Sequence, residues 1–483
     1  MIGYATLLMQ EQVEHTHLAS LEILANVGLL VRNENARTIF ARHGCLVDSG
    51  TQIVKFPPKV VEQYRALLPP QFTFYARDPK YDRTLPQDGP VIVTGSSAPD
   101  IIDPQTGGVR RARSDDIARI AHLINALPAY DVFSISTLAD DAPPGQFTLA
   151  RLYPALKHCL KPVRSTTNDM ADIRAIMQLL FIIAGSERTY RDHPFVTHHY
   201  CPVVSPLTMD QLSTEAVIYF CEQGLPVYPS IVPNAGLTSP MSMAGTLAQG
   251  NAEFLAISVL MQMVRPGSGT IYATLPTVAD MRSGAYASGG IECGMLHMAF
   301  AQMARFYGVP SGGYIGLSNS KLNDAQSGYE TGMSTVAGVL GGADMLNMGG
   351  LLDALKVFDF AKAVIDDEIA MMLKRLKRGI NFDEPELALD VIAQVKPGGS
   401  FMMQPHTMKR MKTEALLTRL ADRDSREAWE KRGAQDTHAR AMQRVHEILA
   451  QESHAGFSAE TEAHIRMQFK HLVSGELEVL QKV

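Results

Sequence analysis

The chain has 483 residues, 46% hydrophobic and 19% charged, with a formal net charge of −6. That length suits one large domain with appendages, or two to three average ones. The charge balance excludes a basic nucleic-acid surface, no apolar run reaches the ~20 residues of a membrane span, and the N-terminus lacks the marks of a signal peptide, so a cytoplasmic protein is expected.

In chain order, residues 7–26 read as a helix. A mixed α/β segment continues to residue 89 and is expected to pack on the larger domain that begins at residue 90. Its Pro57-Pro58-Lys59 opens a helix, since proline is tolerated in a first turn. From 90 to 380, short β-type runs alternate with longer helical ones. Strands are predicted at 91–93, 132–136, 163–166, 195–200, 227–232, 271–274, 313–317 and 345–348. Helices are predicted at 115–126, 147–158, 171–184, 211–222, 244–263, 295–306, 326–340 and 354–377. Eight strand–helix pairs over about 290 residues point to an α/β protein of the (β/α)8 TIM-barrel type. A doubly wound open sheet is the competitor, but no Gly-rich phosphate turn follows any strand. Residues 381–483, after a change to charged composition, are expected to form a helical extension packing on the barrel or on another subunit, making a homo-oligomer plausible.

The five cysteines (Cys45, Cys159, Cys201, Cys221, Cys293) are scattered without a CxxC pair, which argues against a disulfide scaffold or zinc ribbon. There is no GxSxG elbow, P-loop or HExxH helix. In a TIM barrel the chemistry sits at the C-terminal ends of the strands. Those exits offer His199 and Tyr200 after the fourth strand, Asn234 after the fifth, Arg282 after the sixth, and GGYIGLSNSKLNDAQSGYE (312–330) at the seventh. The last packs seven hydrogen-bonding side chains into residues 318–326. Ser318, Lys321, Asp324, Gln326, Tyr329 and Glu330 are the catalytic candidates from this run, although Asp324 also reads as a helix cap.

SNSKLNDAQSGYE (318–330), CPVVSPLTMD (201–210) and PTVADMRSGAYASG (276–289) resemble the trimethylamine methyltransferase family of corrinoid-dependent methyltransferases. So do LEILANVGLLV (21–31) and, in the tail, FMMQPHTMKRMKTE (401–414), AWEKRGAQDTHARA (428–441) and VHEIL (445–449). The resemblance implies a TIM barrel with a helical tail, and a methyl transfer from an amine to cob(I)alamin carried by a separate corrinoid protein, with no cofactor bound tightly to this chain. Members that act on trimethylamine carry pyrrolysine at the position aligning with Gly316 or Leu317, and this chain has none. Relatives lacking pyrrolysine act on quaternary amines such as glycine betaine, carnitine or proline betaine, so that class is the one implied here.

The chemistry agrees, because a quaternary ammonium expels a neutral tertiary amine, whereas a neutral tertiary amine would have to expel an amide anion. The site must hold a permanent cation on aromatic faces and oxygen lone pairs. Phe133, Tyr200, Tyr272 and Tyr314 are the aromatic candidates, with Tyr228 and Tyr329 also at strand ends. A betaine carboxylate needs a donor, for which His199, Asn234, Arg282 and Lys321 are available, although Arg282 also reads as a simple partner of Asp280. No metal ligands are assigned. Two alternatives remain at this level: a zinc-dependent thiol methyltransferase using His199, Cys201 and Cys293, and a non-catalytic barrel that binds quaternary amines.

Overall fold

The computed structural model of the protein describes residues 3–167 and 169–477. Eight parallel strands form a ring: β1 (Val91–Val93), β2 (Phe133–Ser134), β3 (Val163–Ser165), β4 (Val196–Tyr200), β5 (Val227–Ile231), β6 (Tyr272–Thr274), β7 (Ser311–Gly313) and β8 (Met345–Asn347). Each strand from β2 to β8 pairs with the next, β8 pairs back onto β1, and the parallel bridge Val93–Val132 closes the ring. The helices between and after them are α1 (Ser114–Ala126), α2 (Phe147–His158), α3 (Met170–Ala184), α4 (Leu212–Gln223), α5 (Met243–Val264), α6 (Ile291–Tyr307), α7 (Ala325–Gly341) and α8 (Phe360–Arg378). The chain is a (β/α)8 barrel, as the alternation predicts.

Local chemistry sets the element ends. Asp324 and Asp359 cap α7 and α8 by accepting from the Ser327 and Ala361 amides, and Gly308 and Gly342 end α6 and α7 in the left-handed conformation. α5 is apolar nearly all round because it is covered nearly all round: the N-terminal helix Gln10–Glu22 packs along it.

Side chains alternate across each short strand between the barrel interior and the helix layer. At the N-terminal end of the barrel, Val91, Val93, Val132, Ile271, Ala273 and Met345 point inward and meet Phe72 and Phe74 from the hairpin Phe72–Phe74/Arg83–Leu85. The two phenyl rings stand edge-on to Tyr228 at 5.6 and 6.1 Å. The N-terminal segment thus stoppers the barrel floor.

Two elements fall elsewhere than predicted. β7 ends at Gly313, so 314–317 are exit rather than strand; the side-chain-free Gly312-Gly313 pair hides a strand from an apolar pattern. α8 begins at Phe360, because Leu351–Leu352 and Val357–Asp359 form a hairpin turned by three left-handed residues, Asp353, Ala354 and Leu355. In the tail, the helix Thr437–Leu449 buries Ala441, Val445 and Ile448 against α8 and α1, and Ala459–Gln468 lies on α3. The predicted end of the tail, 478–483, lies outside the described residues. No described helix is long and apolar enough to cross a membrane.

Candidate active site at the barrel mouth

One layer above the apolar floor, the interior changes character. Arg164, the middle residue of β3, projects inward and is only 2% exposed. Its Nε donates to Ser134 Oγ (2.9 Å), Nη1 to the Tyr228 hydroxyl (2.9 Å), and Nη2 to the Tyr314 hydroxyl (2.9 Å) and Ser96 Oγ (3.2 Å). With its amide turned to place oxygen toward the guanidinium, Asn347 accepts from Nη2 at 3.2 Å and from Nη1. Burial opposes the charge, but the Tyr228 and Tyr314 oxygens hold it, and the Arg164 pKa stays above its ordinary value. None of these partners is a carboxylate. A buried cation satisfied only by neutral oxygens is a site with one positive charge to spare.

His199, inward on β4, sits beside this layer. Its Nε2 and Ser230 Oγ are 2.8 Å apart, and its ring lies 5.0 Å from that of Tyr228 and 6.3 Å from that of Tyr314. Burial, and then the Arg164 charge, hold its pKa well below 6.5, so the imidazole is neutral. Tyr314 carries the layer upward. Its hydroxyl is 2.6 Å from Ser96 Oγ, and its carbonyl lies 3.0 Å from Nε2 of the buried His297. Tyr314 packs with Leu275 and Leu317, and Val232, Tyr286 and Leu355 close around these three at the strand exits.

Cys201, at the end of β4, is exposed by surface area yet surrounded by protein, and burial pushes its thiol up to about 11. The loop after Cys201 is fastened by Glu253 of α5, which accepts from Ser205 Oγ (2.6 Å) and the Leu207 amide (2.9 Å).

The polar run after β7 is a clasp in which most side chains bond one another or the neighbouring loops, Asn323 donating to Asp359 with its own Oδ1 buried and unpartnered. Glu330 accepts from Ser318 Oγ (2.7 Å), the Asn319 amide (2.8 Å) and Gln326 Nε2 (2.9 Å). The Asn319 side chain donates to the Tyr286 carbonyl and accepts from the Gly289 amide, each at 2.8 Å, tying this loop to the one after β6. Asp324 takes Ser320 Oγ (2.9 Å) and the Ser327 amide (3.1 Å). Lys321 is exposed, bonded to the Asn319 carbonyl and paired with Asp353 at 3.2 Å, and Tyr329 is exposed on α7.

Of the substrate-binding candidates, His199, Tyr314 and Leu317 come together at the mouth. Gly316 lies directly behind them with φ +106°, where a Cβ would sit 2.6 Å from Thr335 Cγ2, so no side chain fits. Asn234 is buried after β5 with its Oδ1 unpartnered. Phe133, Tyr200 and Tyr272 do not join the group. The alternation of β2, β4 and β6 turns them into the helix layer, where Tyr272 stacks on Phe254 at 3.7 Å and Tyr200 on Phe220 at 6.1 Å. Arg282 is outward and paired with Asp280 at 2.6 Å. The zinc alternative lacks a ligand set: among the described residues no three His, Cys, Asp or Glu side chains gather as metal ligands, and the Cys293 thiol, pushed up to about 12 by burial, donates to the Ala287 carbonyl.

The sequence reading missed Arg164 and Ser96, whereas Asn347 and Tyr286 stand at strand exits. The available signal was an arginine in the middle of a barrel strand, with an apolar residue on one side, at a register that turns it inward.

A closed barrel with an apolar floor and a polar, positively charged layer beneath an aromatic mouth is the architecture of a barrel enzyme acting on a small molecule. The comparisons with known proteins give its kind. The chain belongs to the trimethylamine methyltransferase (MTTB) family, whose model matches residues 1–471. It is similar to a glycine betaine methyltransferase of Desulfitobacterium hafniense strain Y51, 34% identical over 447 residues that cover 92% of each chain. A trimethylamine methyltransferase MttB of Methanosarcina thermophila is 30% identical over 453 residues, again 92% of each. Among solved structures, the hydroxylamine complex of MtmB superposes with a TM-score of 0.49 at 11% identity over 92% of this chain and 96% of that one. This protein is a methyltransferase of the methylamine and betaine group.

Proposed function

We propose that the protein moves a methyl group from a carboxylate-bearing quaternary amine to cob(I)alamin on a separate corrinoid protein. The observation that carries this reading is Arg164, a buried guanidinium whose protein partners are all neutral. A bound carboxylate supplies the missing negative charge through the layer Arg164 polarises, the Tyr314 and Ser96 hydroxyls and the neutral His199. A charge-assisted hydrogen bond is about twice as strong as a neutral one.

Anchored there, the substrate's ammonium end lies higher, among the faces of Tyr314 and Tyr286 and the walls of Leu275, Leu317 and Val232. Ring faces attract a cation by about 0.5–2 kcal/mol. That modest grip suits the reaction, because the nitrogen's charge disappears as the methyl departs and tight binding of the charge would hold the ground state. The C–N bond breaks with its electron pair on nitrogen, giving a neutral tertiary amine that needs no proton. The corrinoid, a cosubstrate brought by its carrier, provides the low-valent cobalt to which the methyl carbon bonds. The chain's own part is to aim one N-methyl outward and keep water away, which alignment alone rewards strongly. Exposed side chains on the loops after β5 to β7 (Leu237, Met281 and Leu322) and in the first turns of α7 (Tyr329) fit a seat for the carrier. In this reading Lys321, Tyr329 and Arg282 serve that rim. Ser318, Asp324, Gln326 and Glu330 hold the mouth in shape.

The test is a panel with purified protein and reduced corrinoid protein, following methylcob(III)alamin in the visible spectrum. Glycine betaine, carnitine and proline betaine are set against choline, tetramethylammonium and trimethylamine. Methyl transfer confined to carboxylate-bearing quaternary amines is expected. Equal transfer from choline or tetramethylammonium removes the role given to Arg164, and transfer from trimethylamine removes the quaternary requirement. Betaine binding without transfer would favour the non-catalytic barrel.

A further inference from the structure

From residue 374 to residue 419 not one residue is buried. The stretch is nonetheless folded into helices at Glu384–Leu387, Leu389–Val395 and Pro405–Glu414. It also carries large apolar side chains outward: Ile380, Phe382, Leu389, Phe401, Met402 and Met403, with Met403 83% exposed and Phe382 73%. Ordering a chain costs about 1–2 kcal/mol per residue in backbone entropy, and a segment with no fully buried residue has little to set against that. Apolar burial outside its own chain is the missing term.

The arm is rooted on the floor side of the barrel. α8 begins beside the strand exits and runs away from them. Its last turn holds both ends of the arm, with Arg375 donating to the Glu414 carbonyl at 3.1 Å and Arg378 to the Thr413 carbonyl. The arm thus leaves and returns at the end opposite the mouth, where a methyl carrier has nothing to receive.

Its charges are divided along the chain. Residues 381–395 hold Asp383, Glu384, Glu386 and Asp390 and no base, and residues 396–413 hold Lys396, Lys409, Arg410 and Lys412 and no acid. Within the chain only Glu386 and Arg410 pair among these eight. A patch that is half acidic and half basic is complementary to its own image across a two-fold axis, where residue i meets j and j meets i. The apolar side chains of the arm present on the order of 1,000 Å² of surface, the amount each partner of a stable complex buries, roughly 800 Å² or more.

We infer that residues 380–413 form the interface with a second copy of this chain, two arms lying antiparallel across a two-fold axis. Sedimentation velocity on the full-length protein tests it. The wild type is expected to sediment as a dimer or a larger even assembly up to tens of micromolar. Glu384→Lys/Asp390→Lys and Lys409→Glu/Lys412→Glu, all at exposed positions, are each expected to weaken assembly by about tenfold or more while leaving the far-ultraviolet dichroism unchanged. Mixed one to one, the two variants are expected to recover assembly as a heteromer, which no effect within a single chain produces. Hydrogen exchange of 380–413 should slow with rising protein concentration in the wild type alone. A monomeric wild type, variants that assemble as tightly as wild type, or a mixture that does not recover would each overturn the inference. None of these results bears on the methyl-transfer reading, which the amine panel decides separately.

Discussion

The loop after β7 and the layer around Arg164 are built from similar side chains, and they differ in one respect. In the loop every charge has an answer: Glu330 takes three donors, Asp324 takes two, and Lys321 has Asp353. Around Arg164, five neutral groups surround a cation that no acid among the described residues offsets. Dense polarity marks where a barrel organises its mouth. Unbalanced charge marks where a ligand completes it.

The widest gap between the two regions should open on removing the cation. Arg164→Met is expected to lower kcat/KM for a betaine by about 100-fold or more, since losing one partner of a buried, hydrogen-bonded charge pair costs about 2–5 kcal/mol. The loss should appear mainly in KM, and it should be smaller for choline. Arg164→Lys should rescue little, because a point charge cannot reproduce the guanidinium fork. Tyr314→Phe keeps the ring and deletes the hydroxyl that bridges Arg164 and Ser96. A rise in KM of about tenfold is expected, the worth of a hydrogen bond to a charged group.

On the clasp side, Glu330→Ala strips three donors of their acceptor. It should cost about 1–3 kcal/mol of stability, a fall in Tm of a few degrees by calorimetry, with KM for the amine changed less than in either variant above. Substitution of Lys321 or Arg282 by Ala should leave KM for the amine within about twofold, exposed ion pairs contributing about 0–1 kcal/mol. Any loss there should instead depend on the concentration of the corrinoid protein.

The smallest expected effect is none. His199 is held well below 6.5, so it is neutral at neutral pH and gains a proton only on strong acidification; the Cys201 thiol, near 11, loses its proton only in strong alkali. Arg164 stays charged throughout. Betaine affinity by titration calorimetry should therefore be flat from about pH 6.5 to 9, and a break near 7 would mean that His199 titrates in the site.

The barrel was legible because its strands and helices announce themselves by period and by turns, and because eight repeats tolerate errors at single boundaries. β7 slipped by a few residues since Gly312 and Gly313 carry no apolar signal, and α8 started late since a hairpin followed β8. The site was less legible for a different reason. Position at a strand exit is written in the sequence, but direction is not. Phe133, Tyr200 and Tyr272 stand on the right strands and face the wrong layer, one residue out of step with Arg164, Tyr228 and Ser134. Arg164 itself stands two residues short of an exit, in a run that reads as ordinary strand. The family motifs pointed to the clasp, whose residues shape the mouth, and passed over the arginine beneath it.

The stopper that Phe72 and Phe74 put into the barrel floor has a kinetic consequence. A vessel closed at its base has a single doorway, so on the proposed reading the small amine has to enter before the bulky carrier covers the opening. The demethylated product has to wait for the carrier to withdraw. Such a queue makes turnover compulsorily ordered, and it makes excess unloaded carrier an inhibitor that competes with the amine for entry.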